Sequence, residues 1–265
     1  MPAEISCEIA DHIAFVRLNR PEKLNALNLP MLRGLVSTAH SLKSDRSLRA
    51  VVLSGMGPAF CAGIDLGVLA GGLGAFGASF VTRPGRGTNT FQEACWAWRR
   101  VPVPVIAVVH GHCYGAGLQL ALGADFRVST PDAKWAVMEA KWGLVPDMSG
   151  VRSLAQVVGI DTAKELTMTA RTLTGEQARD LGLVTRVSTD PHVAAGELID
   201  EILTRSPDSV AATKRLFEAT WPGSSRRAFA RERIEQARLL LAKNTRIVRA
   251  ASASKTTPEY APRAR

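Results

Sequence analysis

The sequence of 265 residues has few of the features that mark several common protein classes. Its four cysteines, Cys7, Cys61, Cys95 and Cys113, form no CxxC pair, and no histidine lies at zinc-binding spacing from them. This pattern argues against a disulfide framework and against a structural zinc site. Reduced thiols are typical of the cytoplasm. We therefore expect a cytoplasmic protein without a bound metal.

Long apolar runs are also missing. No stretch approaches the roughly 20 apolar residues of a membrane-spanning helix, and Glu4 and Glu8 stand where a signal peptide would be apolar. Hydrophobic residues nevertheless make up 46% of the chain and charged residues 22%, which is typical of a globular protein with a full core. We expect no membrane span, and either one large domain or a large domain with a smaller appendage.

Aromatic residues are scarce at 6%, whereas positive charge is in excess, with a formal net charge of +9. Much of the excess lies in residues 243–265, which hold six Lys and Arg against the single Glu259. Such a segment suits nucleic acid, an acidic membrane or a phosphorylated ligand. Tyr260 is the only aromatic side chain there that could stack on bases. Nucleic-acid binding is therefore disfavoured.

Strand and helix patterns alternate through the first two thirds of the chain. Residues 5–18 predict a hairpin that turns at Asp11 and His12, and the apolar runs 49–54 and 103–109 predict buried strands. Amphipathic helices are predicted between them, as in α/β proteins. Residues 67–87 hold seven of the 22 glycines with almost no helical period, which predicts a flap.

From residue 193 onward the pattern predicts helices only, at about 193–204, 209–219 and 225–243. We therefore expect a core over residues 1–195 and a helical subdomain with a basic tail over residues 196–265. The helices carry apolar stripes that need a partner surface. The stripes comprise Leu216, Phe217, Phe229, Ile234, Leu239, Leu240 and Leu241.

Four groups of motif residues carry a resemblance to a known family. They are Arg20–Leu27 (RPEKLNAL), Ala59–Leu66 (AFCAGIDL), Val105–Gly111 (VIAVVHG) with Gly115–Gly117 (GAG), and Glu139 with Gly143 and Pro146. Their order and spacing resemble the enoyl-CoA hydratase/isomerase, or crotonase, superfamily over about residues 5–245. The resemblance implies an α/β fold with a repeated ββα spiral core and a C-terminal helical subdomain. It also implies an acyl-CoA thioester substrate, no separate cofactor, and self-association as a trimer or a dimer of trimers.

The family chemistry forms an enolate-like thioester oxyanion, which needs preorganised donors in a dry site. The resemblance places these donors at the backbone N–H groups of Ile64 and Ala116. It assigns substrate and coenzyme A contacts to further positions, and basic residues of the C-terminal segment are expected near the phosphates. The assigned positions are Lys23, Leu24, Ala26, Ala62, Gly63, Asp65, Leu66, Gly115 and Gln119.

The proton-transfer groups separate the branches of the family. Hydratases that resemble this chain use two glutamates; the second matches Glu139, whereas the first is replaced by Gln119. An amide neither accepts nor donates a proton at neutral pH. Asp147 stands where hydratases carry glycine, and this acid resembles the Δ3,5-Δ2,4-dienoyl-CoA isomerase branch, although that branch normally has aspartate at the Gln119 position. We expect Glu139 and Asp147 to act together in shifting a C=C bond.

Several alternatives remain open at this point. Asp147 could cap the helix that begins near Gly150, or match the nucleophile of aroyl-CoA dehalogenases, which have tryptophan at the Glu139 position. Glu139 could be a surface acid and Lys23 a solvated loop residue. The chain could also be an enoyl-CoA hydratase with glutamine at the second acid position, or a non-catalytic protein that binds acyl-CoA or RNA.

Overall fold

The computed structural model describes residues 3–65, 67, 77, 79–82, 85, 87–221 and 223–265. Leu66 and most of the predicted flap at 67–87 lie outside the described residues. The strands are β1 Ile5–Ala10, β2 Ile13–Leu18, β3 Ala50–Gly55, β4 Val105–Val109, β5 His112–Tyr114, β6 Phe126–Ser129, β7 Lys134–Ala136 and β8 Arg186–Val187.

Most of the helices that lie between and after these strands are α-helices. They are α1 Leu29–Ser44, α2 Thr90–Trp96, α3 Ala116–Ala121, α4 Gly150–Val158, α5 Ile160–Thr169, α6 Gly175–Asp180, α7 Pro191–Leu203, α8 Pro207–Thr220, α9 Ser225–Leu241 and α10 Lys243–Ser254. Short 3-10 helices span Pro21–Lys23, Ala97–Arg100 and Glu139–Trp142. Within the described part of the chain, no helix is both long and apolar enough to cross a bilayer.

A large six-stranded sheet in the order β1-β2-β3-β4-β6-β8 forms the centre of the fold. The hairpin β1-β2 is antiparallel, as predicted, and the remaining pairs are parallel. Every residue of β3 and β4 is buried, because helices cover both faces of the sheet. Alternate side chains point to opposite faces, so Val51 packs towards α1 whereas Val52 packs towards α7.

A second, smaller sheet lies beside the large one. It pairs β5 with β7 in parallel, and isolated bridges add Cys61 to Cys113 and Ile64 to Leu27. The chain therefore repeats one order of elements: β4, β5 and α3 are followed by β6, β7 and the 3-10 helix Glu139–Trp142. Each repeat places a helical segment directly after a strand of the small sheet.

The C-terminal helices differ from the sequence prediction in their last part. The basic tail contains a further helix, α10, and the chain then runs back to the core. Arg263 is only 1% exposed and donates hydrogen bonds to the carbonyl oxygens of Leu48, Lys43 and Asp45. It is thus not free to bind a phosphate.

The other deviations are small. Strand β8 is limited to Arg186–Val187, because the preceding Leu183 and Val184 pack into the core behind α6. The predicted boundary between residues 195 and 196 falls within α7, whose buried side chains pack on the sheet. As a division into two domains, 1–195 and 196–265, it stays a prediction.

Candidate active site

The two expected oxyanion donors lie at neighbouring ends of the small sheet. Ile64 ends the segment that pairs with β5, and Ala116 is the first residue of α3, directly after β5. A Cβ atom on Gly117 would lie 2.6 Å from the carbonyl oxygen of Cys61, so only glycine lets α3 approach this segment so closely. Apart from bonds within helices and strands, neither the Ile64 N–H nor the Ala116 N–H donates a hydrogen bond to a backbone carbonyl oxygen of the described residues.

These N–H groups border a cavity of about 440 Å³. Three polar side chains, Gln119, Glu139 and Asp147, face the same cavity. The other large side chains around it are apolar: Phe80, Phe91, Met138, Trp142, Leu144, Val145 and Met148. An apolar cavity with a few convergent polar groups is the usual form of a small-molecule site.

Glu139 is half-buried at the start of its 3-10 helix. Its Oε1 accepts a hydrogen bond from Gln119 Nε2 at 2.5 Å, and its Oε2 is buried with no partner among the described residues. Burial raises the pKa of Glu139, and the nearby Asp147 charge raises that pKa further, against the hydrogen bond from Gln119. Glu139 is therefore a cavity residue and not a surface acid.

Asp147 lies at the rim of the cavity, on the loop before α4. Its side chain is exposed. Partial burial against the cavity wall nevertheless raises the pKa of Asp147. The helix-cap interpretation is not supported, because the N-cap residue of α4 is Ser149 and that helix has no side-chain cap. Both predicted acids thus face one cavity.

The positions expected to contact coenzyme A lie on two joined segments. Ala62 N–H donates to the carbonyl oxygen of Leu24, and Leu27 N–H donates to that of Gly63, so Lys23–Ala26 and Ala62–Asp65 are held side by side. Lys23 is exposed. Leu66 cannot be placed, because it lies outside the described residues.

Asp65 has a structural partner that the sequence did not reveal. Arg20 donates to Asp65 Oδ2 at 2.5 Å and to the carbonyl oxygen of Ala26 at 3.1 Å. This hydrogen bond from Arg20 holds the pKa of Asp65 below its usual range. The fully buried Asn25 anchors the same segment by donating to the carbonyl oxygens of Met56 and Ala59. Arg20 and Asn25 belong to the motif Arg20–Leu27, but nothing in the local sequence pattern indicates these contacts.

Other contributors were also missed. Phe91 lies on α2, and Leu144 and Val145 directly precede the Pro146–Asp147 pair. For Leu144 and Val145, their apolar character next to motif residues was the one available signal. For Phe80, within the predicted flap, the sequence offered none.

Comparison with known proteins shows the family and the fold. The family profile described as Enoyl-CoA hydratase/isomerase matches residues 8–250. The protein named Delta(3,5)-Delta(2,4)-dienoyl-CoA isomerase, mitochondrial, of Rattus norvegicus is 37% identical over 218 residues, which cover 77% of this chain and 64% of that protein. The probable enoyl-CoA hydratase echA6 of Mycobacterium leprae is 34% identical over 222 residues, with 80% and 84% covered.

Solved structures show the same fold. The crystal structure of enoyl-CoA hydratase from Bacillus anthracis superposes with a TM-score of 0.89 at 26% identity, over 97% of this chain and 98% of that one. The expected α/β crotonase fold is therefore confirmed. The chain spans 64% of the length of the mitochondrial dienoyl-CoA isomerase that it matches.

Proposed function

The chain belongs to the enoyl-CoA hydratase/isomerase family, and on that premise we propose that it shifts C=C bonds within an enoyl- or dienoyl-CoA thioester. One observation carries the proposal: two carboxyl groups, Glu139 and Asp147, face the cavity that the Ile64 and Ala116 N–H groups border. This arrangement suits moving a proton between two carbons of one bound chain. The dienoyl-CoA isomerases among the relatives support this choice.

In this mechanism the thioester oxygen accepts hydrogen bonds from the Ile64 and Ala116 N–H groups. One carboxylate removes a proton from C2 of a 3,5-dienoyl thioester, and the electrons move to the carbonyl oxygen. The two N–H groups stabilise the resulting dienolate. The other carboxyl group returns a proton at C6, which leaves double bonds at C2 and C4. Raised pKa values suit both acids to this exchange, because each must pass between protonated and ionised forms.

Hydration of a 2-enoyl thioester is the second candidate, favoured by relatives named as enoyl-CoA hydratases. It requires a second group that activates water. Gln119 Oε1 already accepts two backbone hydrogen bonds, and its amide cannot take up a proton. These contacts favour isomerisation.

The experiment incubates purified protein separately with 3,5-dienoyl-CoA, 3-enoyl-CoA and trans-2-enoyl-CoA. We expect 3,5-dienoyl-CoA to gain the absorbance of a conjugated 2,4-dienoyl thioester, with little loss of 2-enoyl-CoA. Consumption of 2-enoyl-CoA alone would replace the proposal with hydration. Binding of all three thioesters without turnover would identify an acyl-CoA-binding protein that lacks catalysis, and RNA binding in the same preparation would support the RNA-binding alternative.

The proposal uses only groups of this chain and no separate cofactor, so activity should survive dialysis against a chelator. It includes a cytoplasmic location, which the relative named as mitochondrial does not support. Fractionation of cells that produce the protein tests that location.

We further propose that the protein associates with copies of itself, as a trimer or a dimer of trimers. Glu235 is the only buried residue of α9, and Phe229, Leu240 and Leu241 on that helix are exposed. A groove of about 1080 Å³ lies between the C-terminal helices and the core. Sedimentation at micromolar concentration should give an oligomer, and Leu240→Glu should weaken it. A clean monomer of the unaltered protein would contradict the proposal.

A further inference from the structure

Gln119 connects three parts of the site through a single buried side chain. Its side-chain oxygen accepts the N–H groups of Met148 at 2.8 Å and Gly150 at 2.9 Å, whereas its Nε2 donates to Glu139 Oε1 at 2.5 Å. Gln119 itself is only 1% exposed. It therefore joins α3 to the 3-10 helix that carries Glu139 and to the loop that carries Asp147.

Gln119 is tightly packed against the loop that carries Asp147. A Cβ atom on Gly150 would lie 2.4 Å from Gln119 Oε1, and Met148 is 1% exposed. Because Asp147 is bonded directly to Met148, a hydrogen bond to the Met148 N–H fixes the peptide that follows Asp147. Gln119 thus holds the backbone from which the Asp147 side chain projects, without touching that side chain.

The contact with Glu139 makes its two carboxyl oxygens unequal. Oε1 is occupied by the Gln119 amide, whereas Oε2 is buried and has no partner among the described residues. We propose that Gln119 is a positioning residue that holds the Glu139 carboxyl group for proton exchange with the acyl chain, while the same side chain fixes the loop of Asp147. This inference rests on the proposed function of the site.

The charges around Glu139 explain why such a donor is needed. The charge of Asp147 raises the pKa of Glu139. Both acids also interact electrostatically with the fully buried thiol of Cys95 on α2. From α5, which also packs on the 3-10 helix, the charged side chains Asp161, Lys164 and Glu165 are exposed to solvent. The Gln119 N–H is thus the side-chain contact that favours the ionised form of Glu139, against burial and a like charge.

Gln119→Glu separates the two roles of this side chain. A carboxylate still accepts the Met148 and Gly150 N–H groups, but it places a second carboxyl oxygen against Glu139. The first negative charge opposes ionisation of the second carboxyl group, so the pair should titrate in two coupled steps. We expect the upper step to lie about one pH unit or more above the titration of Glu139 in the unaltered protein. The acid limb of kcat/KM should move by the same amount, with little change in KM.

Titration is followed by carbon-13 NMR of labelled glutamate carboxyls, with the Glu139 signal assigned by its loss in Glu139→Gln. Gln236→Glu on α9 is the control, because it adds the same charge at an exposed site. It should leave the titration of Glu139 unchanged. An unchanged titration of Glu139 in Gln119→Glu would overturn the inference. The NMR titration does not depend on turnover. If the unaltered protein is inactive, the proposed function is wrong, but the titration still tests the contact between Gln119 and Glu139.

The swapped variant Gln119→Glu with Glu139→Gln provides a second test. The amide donor and the carboxylate acceptor exchange places, so thermal stability should return to that of the unaltered protein. Activity should stay at least about 100-fold lower, because residue 139 no longer carries a proton. Substantial isomerisation by the swapped variant would contradict the assignment of the proton transfer to Glu139.

Discussion

The core and the C-terminal helices differ in how completely the chain covers them. Every residue of β3 and β4 is buried, whereas in α9 only Glu235 is. In the core, the described residues Gln119, Glu139 and Asp147 line one cavity. In the C-terminal helices, large apolar side chains remain exposed. The core thus contains the candidate site, whereas the helices present an exposed apolar surface.

The largest expected effect breaks the site within the core. Glu139→Gln and Asp147→Asn should each lower turnover of 3,5-dienoyl-CoA by about 100-fold or more, because each removes a group that transfers a proton. Both amides keep the size of the original side chain, so the affinity for the CoA thioester should change little. Steady-state kinetics and a direct binding titration measure the two quantities. Full activity in Asp147→Asn would indicate an isomerase that uses Glu139 alone.

A second variant tests how the C-terminal region is held to the core. Arg263→Ala removes the buried guanidinium that binds three carbonyl oxygens near the end of α1. We expect the free energy of unfolding to fall by about 2–3 kcal/mol. Urea denaturation measures it, and Arg265→Ala, at an exposed position, is the matched control. Equal stability of the two variants would mean that the last residues do not hold the C-terminal region in place.

A smaller effect concerns protein stability: the ionised Glu139 should destabilise the folded state, whatever its role in catalysis. The pKa of Glu139 is raised in the folded state, so the folded protein binds this proton more tightly than the unfolded chain does. The free energy of unfolding therefore falls as the pH rises above the ordinary glutamate pKa of about 4.3. Glu139→Gln should therefore gain stability relative to the unaltered protein at pH 7. The gain should vanish at acidic pH.

Urea denaturation at several pH values measures this difference in the free energy of unfolding. Glu197→Gln, an exposed change on α7, should show no such dependence. A Glu139→Gln variant that is less stable at neutral than at acidic pH, relative to the unaltered protein, would refute the raised pKa.

The smallest expected effect concerns the edge of the core at Lys23. An exposed lysine that contacts a phosphate contributes little, so Lys23→Ala should weaken CoA-thioester binding about two- to fivefold. Added salt should weaken binding to the unaltered protein, because it screens such contacts. Isothermal titration at two salt concentrations measures both effects, with Lys164→Ala on α5 as control. Binding that is independent of salt would argue against Lys23 and the basic tail as phosphate contacts.

The sequence predicted those parts of the fold that local patterns determine. The hairpin and the buried strands were readable, because each depends on residues close together in the chain. The resemblance singled out Glu139, Asp147, Ile64 and Ala116, which line one cavity in the structure, and their roles stay predictions. It did not reveal Arg20 bound to Asp65, or Gln119 bound to Glu139, because these contacts join residues 45 and 20 positions apart.

The basic tail, residues 243–265, shows a further limit of prediction from sequence. Its basic residues suggested a phosphate ligand, yet Arg263 is bound to backbone carbonyls 215 to 220 positions away. Charge counts do not distinguish a ligand contact from a structural one. The packing of the chain end against α1 and β3 decides the role of this residue.

The most direct test of the central claim follows the product in water labelled with oxygen-18. If Glu139 and Asp147 move a proton along the chain of 3,5-dienoyl-CoA, mass spectrometry should find a 2,4-dienoyl-CoA product of unchanged mass, with no labelled oxygen. A hydroxyacyl-CoA product that carries oxygen-18 would show that the cavity adds water, and it would contradict the account of this site as a double-bond isomerase.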